Sequence, residues 1–121
     1  MRDLPGFFPF QHRDLLLHLV MKQDGYYYVY MVTNKNKTVL YTGMTNDISR
    51  RLTEHEEASI PFNYKSFAGH YNSYFLLHYE CFANVMDAIA REKEIKGWRR
   101  SKKEQLINMH NPGWKFLNDE V

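Results

Sequence analysis

Two short aromatic segments separated by a polar turn constrain the fold of this 121-residue chain more than any other feature. Residues 26–33 and 38–42 are rich in the β-branched and aromatic side chains that favour strands. Residues 34–37 between them are polar, and their number suits a hairpin connection. The sequence therefore predicts a β-hairpin, with Gly43 at the end of its second strand.

The remaining sequence alternates between helix and strand signals. In chain order, the predicted elements are a helix from Thr45 or Asn46 to about Glu57, a strand over residues 74–82, a helix from Asn84 to Gly97, and a helix over residues 101–109 that opens with a capping box from Ser101 to Glu104. The order ββαβαα indicates an α+β fold with a small three-stranded, mainly antiparallel sheet flanked by helices.

The bulk composition indicates one domain with an addition at its start. Hydrophobic residues make up 44% of the chain and charged residues 25%, which is ordinary for a globular protein, and no apolar run approaches the ~20 residues of a membrane span. We expect residues 1–25 to be an N-terminal extension, residues 26–117 to be the folded domain and residues 118–121 to be a tail. The extension is either a short helix over residues 15–20 or a segment added by an upstream start or by cloning.

The single cysteine bears on the cellular compartment, and the net charge bears on nucleic-acid binding. Cys81 alone cannot form an internal disulfide and falls in a predicted strand, so we expect a buried, inert thiol and a cytoplasmic protein. The net charge of +2 permits nucleic-acid binding without arguing for it.

Three polar side chains on predicted helices are candidates for chemistry. Glu92 lies within an apolar helical stripe, where a carboxylate needs a metal ion or another cation as its partner. The alternative is a rim residue paired with Lys96 at i+4. Arg51 and His55 are four residues apart and share one helix face, and Arg51 is nearer the apolar stripe than Arg50. The alternative for this pair is an exposed arginine and a half-buried imidazole.

Two tyrosines add phenol groups on the predicted hairpin. Tyr30 and Tyr41 lie on its paired strands. A phenol acts as a base only where nearby positive charge lowers its pKa. Otherwise both residues serve ordinary packing in the sheet.

A basic segment over residues 91–104 suits contacts with nucleic acid. It carries seven Lys or Arg against three Glu, with Trp98 interleaved. Cations bind phosphates, and an exposed aromatic ring can stack on a base. The alternative is a solvated helix junction with Trp98 in the core. The predicted contact residues are Lys96, Trp98, Arg99, Arg100, Lys102 and Lys103.

The motifs Tyr28-Val29-Tyr30 and Tyr41-Thr42-Gly43, followed by the helix with Arg51 and His55, resemble the GIY-YIG nuclease domain. Within that family the chain is similar to the small stand-alone bacterial branch, which is itself similar to the N-terminal catalytic domain of the excision-repair (UvrC-type) endonuclease. The segment 88–98 is similar to that branch too. The resemblance extends from about residue 26 to about residue 117. Tyr28 stands in place of the first glycine of the motif, and Thr42 in place of its second isoleucine.

The resemblance implies a metal-dependent DNA endonuclease. Its implied catalytic residues are Tyr30, Tyr41, Arg51, His55 and Glu92, with Asn111 as a loosely aligned addition. Glu92 would hold a single Mg²⁺ or Mn²⁺, Arg51 would stabilise the phosphate, and Tyr30 would be the general base.

Two other functions are compatible with the sequence. One is a non-catalytic nucleic-acid-binding module on the same scaffold. The other is a protein-interaction domain that uses residues 1–20 as its contact. We expect DNA as the partner and no membrane, with a protein partner or a homodimer left open.

Overall fold

The computed structural model describes residues 7–8, 25–58 and 72–121 and has an α+β fold. In chain order the elements are β1 (Phe7–Phe8), β2 (Tyr27–Thr33), β3 (Leu40–Thr45), α1 (Ile48–Ala58), β4 (Phe75–Phe82), α2 (Val85–Lys96), α3 (Arg100–His110) and a 3₁₀ helix (Asn118–Glu120). The predicted three-stranded antiparallel sheet with three helices is confirmed. The two-residue β1 extends the sheet, so that the strand order is β1-β4-β2-β3.

Strand β2 is central and divides the core into two layers. Alternate residues of a strand point to opposite faces of the sheet. Tyr28, Tyr30 and Val32 pack on one face with buried residues of α1, while Val29 and Met31 pack on the other with buried residues of α2 and α3. Each face is therefore covered by helices, and the side chains of α1 meet the face that carries Tyr30.

The second hairpin strand is longer than the sequence suggests. The prediction that Gly43 ends it is wrong, since β3 continues to Thr45 and Gly43 pairs with Tyr30 across the hairpin. Glycine weakens a strand in general, but this strand is held by the β2 ladder along its whole length.

Backbone groups in the first half of β4 bond to the C-terminal part of the chain. The Leu117 N–H donates to the Leu76 carbonyl over 2.8 Å, and the Asn118 side chain accepts from the Leu76 N–H at 2.8 Å. The Asn111 carboxamide donates to the Leu77 carbonyl over 3.0 Å. These contacts hold the C-terminal segment against the sheet, and β1 pairs with the other end of β4.

Side-chain caps explain where two of the helices begin. Asn84 caps α2 as predicted and accepts the N–H of Met86 over 2.7 Å. Helix α1 is capped by Asp47, whose carboxylate accepts the Arg50 N–H over 3.1 Å, rather than by Thr45 or Asn46.

The predicted capping box of the third helix is wrong. Helix α3 begins at Arg100, and its cap residue is Arg99, two residues before Ser101; Arg99 makes no side-chain capping bond. Ser101 and Glu104 therefore lie inside the helix. Glu104 pairs with Arg100 at 2.9 Å, which stabilises the first turn as an i,i+4 ion pair.

Some predictions fall outside the described residues. These are the helix over residues 15–20 and most of the loop predicted between Ser59 and Asn72. The domain limits 1–25, 26–117 and 118–121 stay predictions, and residues 118–120 form the 3₁₀ helix. In the described part of the chain, no helix combines the length and apolar character needed to cross a membrane.

Candidate active site

The side chain of Tyr30 crosses the sheet directly over Gly43. A Cβ atom built on Gly43 would lie 2.5 Å from Cζ of Tyr30 and 3.0 Å from its Cε2. No side chain larger than hydrogen therefore fits at this position while the ring keeps its place. Because Gly43 is the facing residue in the ladder, the phenol reaches past β3 and emerges beside α1.

The Tyr30 hydroxyl lies between two side chains of α1. It is 2.8 Å from Nε2 of His55, and Nε of Arg51 donates to it over 3.4 Å. These two residues are one helical turn apart, so both reach the same point. Arg50 instead points outward, where it bonds to Asn46 over 2.9 Å. The choice of Arg51 over Arg50 thus agrees with the geometry.

Tyr41 also packs against the imidazole of His55. Its ring meets the His55 ring edge-on, with 5.7 Å between the centroids and an interplanar angle of 74°. The rings of Tyr30 and His55 are 5.9 Å apart. The structure therefore brings Tyr30, Tyr41, Arg51 and His55 together in one place.

Burial controls the protonation of this cluster. Burial lowers the pKa of His55 to about 4, assisted by the charge of Arg51, so the imidazole is neutral at physiological pH. Burial raises the pKa of Tyr30 to about 12, although the hydrogen bond and charge of Arg51 act in the opposite direction. We therefore assign Tyr30 as the donor and Nε2 of His55 as the acceptor. The lowered pKa that a tyrosine base requires is therefore absent at Tyr30, because loss of solvent outweighs one partly exposed guanidinium.

Glu92 lies on α2. Its negative charge is the last of the causes that raise the pKa of Tyr30, after burial and the charge of Tyr41. Glu92 also has the alternative partner considered from the sequence, since its Oε2 is 3.4 Å from Nζ of Lys96. The Glu92 side chain is 22% exposed and that of Lys96 50%, so solvent weakens the pair.

Sequence reasoning missed a buried ionic network behind this carboxylate. Arg91, one residue before Glu92, is the buried polar residue of α2. It bonds to Glu80 of β4 through two contacts, and Glu80 also contacts His78 at 2.7 Å. The available signal was the strand sequence itself, in which His78 and Glu80 share one face among apolar residues. On a buried strand, two such residues require a charged partner.

Two cationic side chains of the protein lie over the Trp98 ring. Lys102 lies 4.5 Å from its centroid and Arg91 lies 5.2 Å from it, and the ring packs against the core on the α2 side. Trp98 therefore acts as a platform for cations, which agrees with the core alternative considered for it.

The exposed cations of the α2–α3 junction lie close together. Burial lowers the pKa of Lys103, and the charges of Arg100 and Lys96 lower it further. Arg100 also donates to the carbonyls of Lys37 and Thr38 in the hairpin turn. A basic surface consequently extends from Lys96, beside Glu92, to the turn of the hairpin.

Asn111 is occupied within the fold. Its carboxamide nitrogen donates to the carbonyls of Leu77 and Lys115 at 3.0 and 2.9 Å, and its oxygen accepts the Lys115 N–H at 3.1 Å. These contacts end α3 and attach the following turn to β4. In the structure Asn111 is a structural link between elements, and its predicted role in the site stays a prediction.

Comparisons with known proteins identify the family of this chain. A sequence model of the GIY-YIG catalytic domain matches residues 26–105. A UPF0213 protein of Haloquadratum walsbyi is 41% identical over 83 residues, which are 69% of this chain and 88% of that protein. A UPF0213 protein of Natronomonas pharaonis is 37% identical over 81 residues, 67% of this chain and 89% of that protein. The solution NMR structure of a UPF0213 protein from Bacillus halodurans is 30% identical and covers 74% of this chain and 90% of its own, with a TM-score of 0.45. The chain belongs to the GIY-YIG catalytic domain family.

Proposed function

We propose that this chain is a metal-dependent endonuclease that hydrolyses phosphodiester bonds of DNA. The observation that carries the proposal is the position of the Tyr30 hydroxyl between His55 Nε2 at 2.8 Å and Arg51 Nε at 3.4 Å. The phenol has a neutral proton acceptor on one side and a fixed positive charge on the other. Attack of water on a phosphodiester requires a base for the water and positive charge for the phosphate.

Tyr30 is the general base in this proposal, and His55 receives its proton. With its pKa raised to about 12, Tyr30 is protonated at neutral pH and cannot accept a proton unless it gives one up. Nε2 of neutral His55 is in position to take it. The attacking water therefore passes a proton to the Tyr30 oxygen while Tyr30 passes its own to His55. The edge-on contact with Tyr41 keeps the imidazole oriented.

Arg51 links phosphate binding to this proton transfer. Its charge is the second cause that keeps the pKa of His55 low. A phosphate bound to Arg51 would compensate that charge and raise the pKa of His55, which makes it a better acceptor when substrate is present. Before substrate binds, Arg51 pairs with the exposed Glu54 at 3.2 Å, a contact that a phosphate can replace.

The residues fit one divalent ion, Mg²⁺ or Mn²⁺, held by Glu92. Among the described residues, no set of three His, Cys, Asp or Glu side chains is arranged to hold a metal ion. A single partly exposed carboxylate nevertheless suits Mg²⁺, which keeps several waters and binds through one or two carboxylates and substrate phosphate. When bound, the ion would stabilise the leaving 3′-oxygen and the charge that builds on the phosphate.

The basic surface beside Glu92 supports DNA as the substrate. Lys96, Arg99 and Lys102 are exposed, and Lys103 and Arg100 lie close enough to Lys96 for their charges to interact. A polyanion relieves the repulsion among such cations, and binding would weaken as salt rises. Trp98, covered by Lys102 and Arg91, contributes by positioning these cations.

Incubation of the protein with branched, nicked and duplex DNA in Mg²⁺ and in Mn²⁺ tests the proposal. We expect cleavage that requires the metal and is lost in Glu92→Ala and in Tyr30→Phe, with DNA binding retained in both variants. Full metal-dependent cleavage by Glu92→Ala would overturn the assignment. Salt-sensitive binding in chelator, with no cleavage under any metal, would favour the non-catalytic binding module.

A further inference from the structure

Arg91 and Glu80 form a two-pronged ion pair between α2 and β4. Arg91 Nε lies 2.7 Å from Oε1 of Glu80, and Arg91 Nη2 lies 3.0 Å from Oε2. The Arg91 side chain is 8% exposed and the Glu80 side chain 0%. His78 takes the remaining position on Glu80, with 2.7 Å between its Nε2 and Oε2. Both carboxylate oxygens are thus held, and the two contacts with Arg91 fix the carboxylate against the guanidinium.

Stability alone is a poor explanation for this pair. Removing two charges from water costs about as much as their attraction returns, and apolar residues of similar volume are often as stable or more stable in such places. What a planar, two-pronged pair supplies is a fixed distance and angle between the elements that carry it. The apolar residues Ala88 and Ile95 of α2 are buried too, but apolar contacts alone would fix the rotation of the helix less strictly than the ion pair does.

The rotation of α2 matters because Glu92 directly follows Arg91. Successive helical residues point about 100° apart, so the direction of Arg91 determines the direction of Glu92. With Arg91 fixed to Glu80 of β4, the direction of Glu92 is fixed as well, and its carboxylate stays at the partly exposed edge of the buried helix face.

We propose that Glu80 and Arg91 are positioning residues, which set the rotation of α2 and with it the direction in which Glu92 presents its carboxylate. This inference rests on the proposed function, since it assigns the network a purpose in the same site. Glu80 lies on the opposite face of the sheet from Tyr30, because it pairs with Val29 and alternate residues point to opposite faces. The pair therefore acts through Glu92.

The decisive variant is the double substitution Glu80→Leu with Arg91→Met, which removes both charges and keeps the volume. We expect the variant to remain folded, with a stability cost from buried His78, which loses Glu80 as a partner. At a temperature where both proteins are folded, we expect kcat to fall about tenfold and KM for DNA to stay within about twofold, because small misplacements in a site cost rate. If the pair were only structural, kcat would remain unchanged at that temperature.

A second readout does not depend on cleavage. Bound Mn²⁺ broadens the NMR signals of nearby nuclei, so its effect on the Tyr30 ring reports where Glu92 holds the ion. We expect strong broadening in the wild type and clearly weaker broadening in the double variant at equal Mn²⁺ occupancy. Equal broadening in both proteins would overturn the inference. If the wild type cleaves no DNA but shows this difference, the proposed function fails and the positioning role stands.

Two single variants cover the case in which the double variant does not fold. Glu80→Asp keeps both charges but shortens the tether by one methylene, and we expect it to fold with a reduced kcat and weaker broadening at Tyr30. Glu94→Gln is the matched control, because exposed Glu94 also bonds to Arg91 at 2.9 Å without holding it to β4. We expect Glu94→Gln to behave as wild type. A Glu80→Asp protein with wild-type kcat and broadening would count against the proposal.

Discussion

The Tyr30 hydroxyl has an acceptor, His55, and a cation, Arg51, as its neighbours. The phenol reaches them because Gly43 leaves a gap in β3. Arg51 and His55 follow from helix periodicity, which is why they could be predicted. The role of Gly43 could not, because a glycine at the end of a predicted strand has an ordinary explanation as a stop signal.

Gly43→Ala is expected to displace the Tyr30 ring and to break its bond with His55. The added Cβ would lie 2.5 Å from Cζ, and the ring must move by about an ångström, which can reduce the rate up to about 100-fold. We expect a loss of about 1–3 kcal/mol in the free energy of unfolding, as for other overpacked sites. Cleavage rates and urea unfolding curves measure the two effects.

Gly97→Ala is the matched control for that substitution. Gly97 ends α2 with φ −80°, and an added Cβ would meet only two carbonyl oxygens at 3.6 Å. We expect unchanged cleavage and equal or slightly higher stability. A Gly43→Ala protein that cleaves as fast as Gly97→Ala would contradict the crossing geometry.

At the scale of elements, the start and type of helix α2 were predicted correctly, but the residue on its buried face was not. Asn84 and the apolar period fixed its start and its type correctly. The pattern also placed Glu92 within the buried stripe, whereas Arg91 occupies the buried position and Glu92 lies at its edge. The helical period of 3.6 residues identifies the buried face only to within about one position. Which of Arg91 and Glu92 is buried depends on Glu80, which is on β4 and not on the helix.

The caps of α2 and α3 predict different sensitivities to substitution. Asn84→Ala should lower the free energy of unfolding by about 1 kcal/mol, because the N–H groups of Met86 and Asp87 lose their acceptor. Arg99→Ala, at a cap with no side-chain bond, should change it by less than about 0.5 kcal/mol. Chemical denaturation of both variants gives the comparison. Equal losses would mean that the Asn84 cap contributes nothing specific.

At the scale of the whole molecule, the three main strands were predicted from the sequence, but the short strand β1 and the C-terminal contacts with β4 were not. Three strands and their antiparallel pairing follow from hairpin and strand signals. The pairing of β1 with β4, and the contacts of Leu117 and Asn118 with Leu76, join residues far apart in the chain. No local pattern encodes such contacts, because short segments add to a strand edge wherever the fold brings them.

Acid stability should reflect two buried groups in two pH windows. The pKa of His55 is lowered from 6.5 to about 4, so the unfolded chain binds the extra proton first and stability declines as pH falls from about 6.5 to 4. For Glu80, burial acts to raise the pKa, but His78 and Arg91 outweigh it and lower it to about 2. That contribution is complete above about pH 4.5 and is lost as pH falls towards 2.

Urea unfolding between pH 7 and pH 2, together with NMR titration of His55, checks both windows. We expect an imidazole midpoint near 4 and, in Arg51→Met, a higher midpoint because one cause of the shift is removed. The Glu80→Leu with Arg91→Met variant should lose less stability below pH 4.5 than the wild type does. A His55 midpoint at its ordinary value of about 6.5 would contradict the buried, neutral imidazole.

The close approach of Tyr30 to Gly43 also restricts how such a chain can change over generations. Tyr30 and Gly43 belong to the two halves of the motif, on either side of a turn, and the Tyr30 ring fills the space that a side chain at position 43 would need. A side chain at position 43 therefore requires a smaller residue at position 30. A substitution that fills the gap must therefore follow the loss of the phenol rather than precede it. Relatives with a side chain at the position of Gly43 are then expected to lack an aromatic residue at the position of Tyr30, and with it the chemistry.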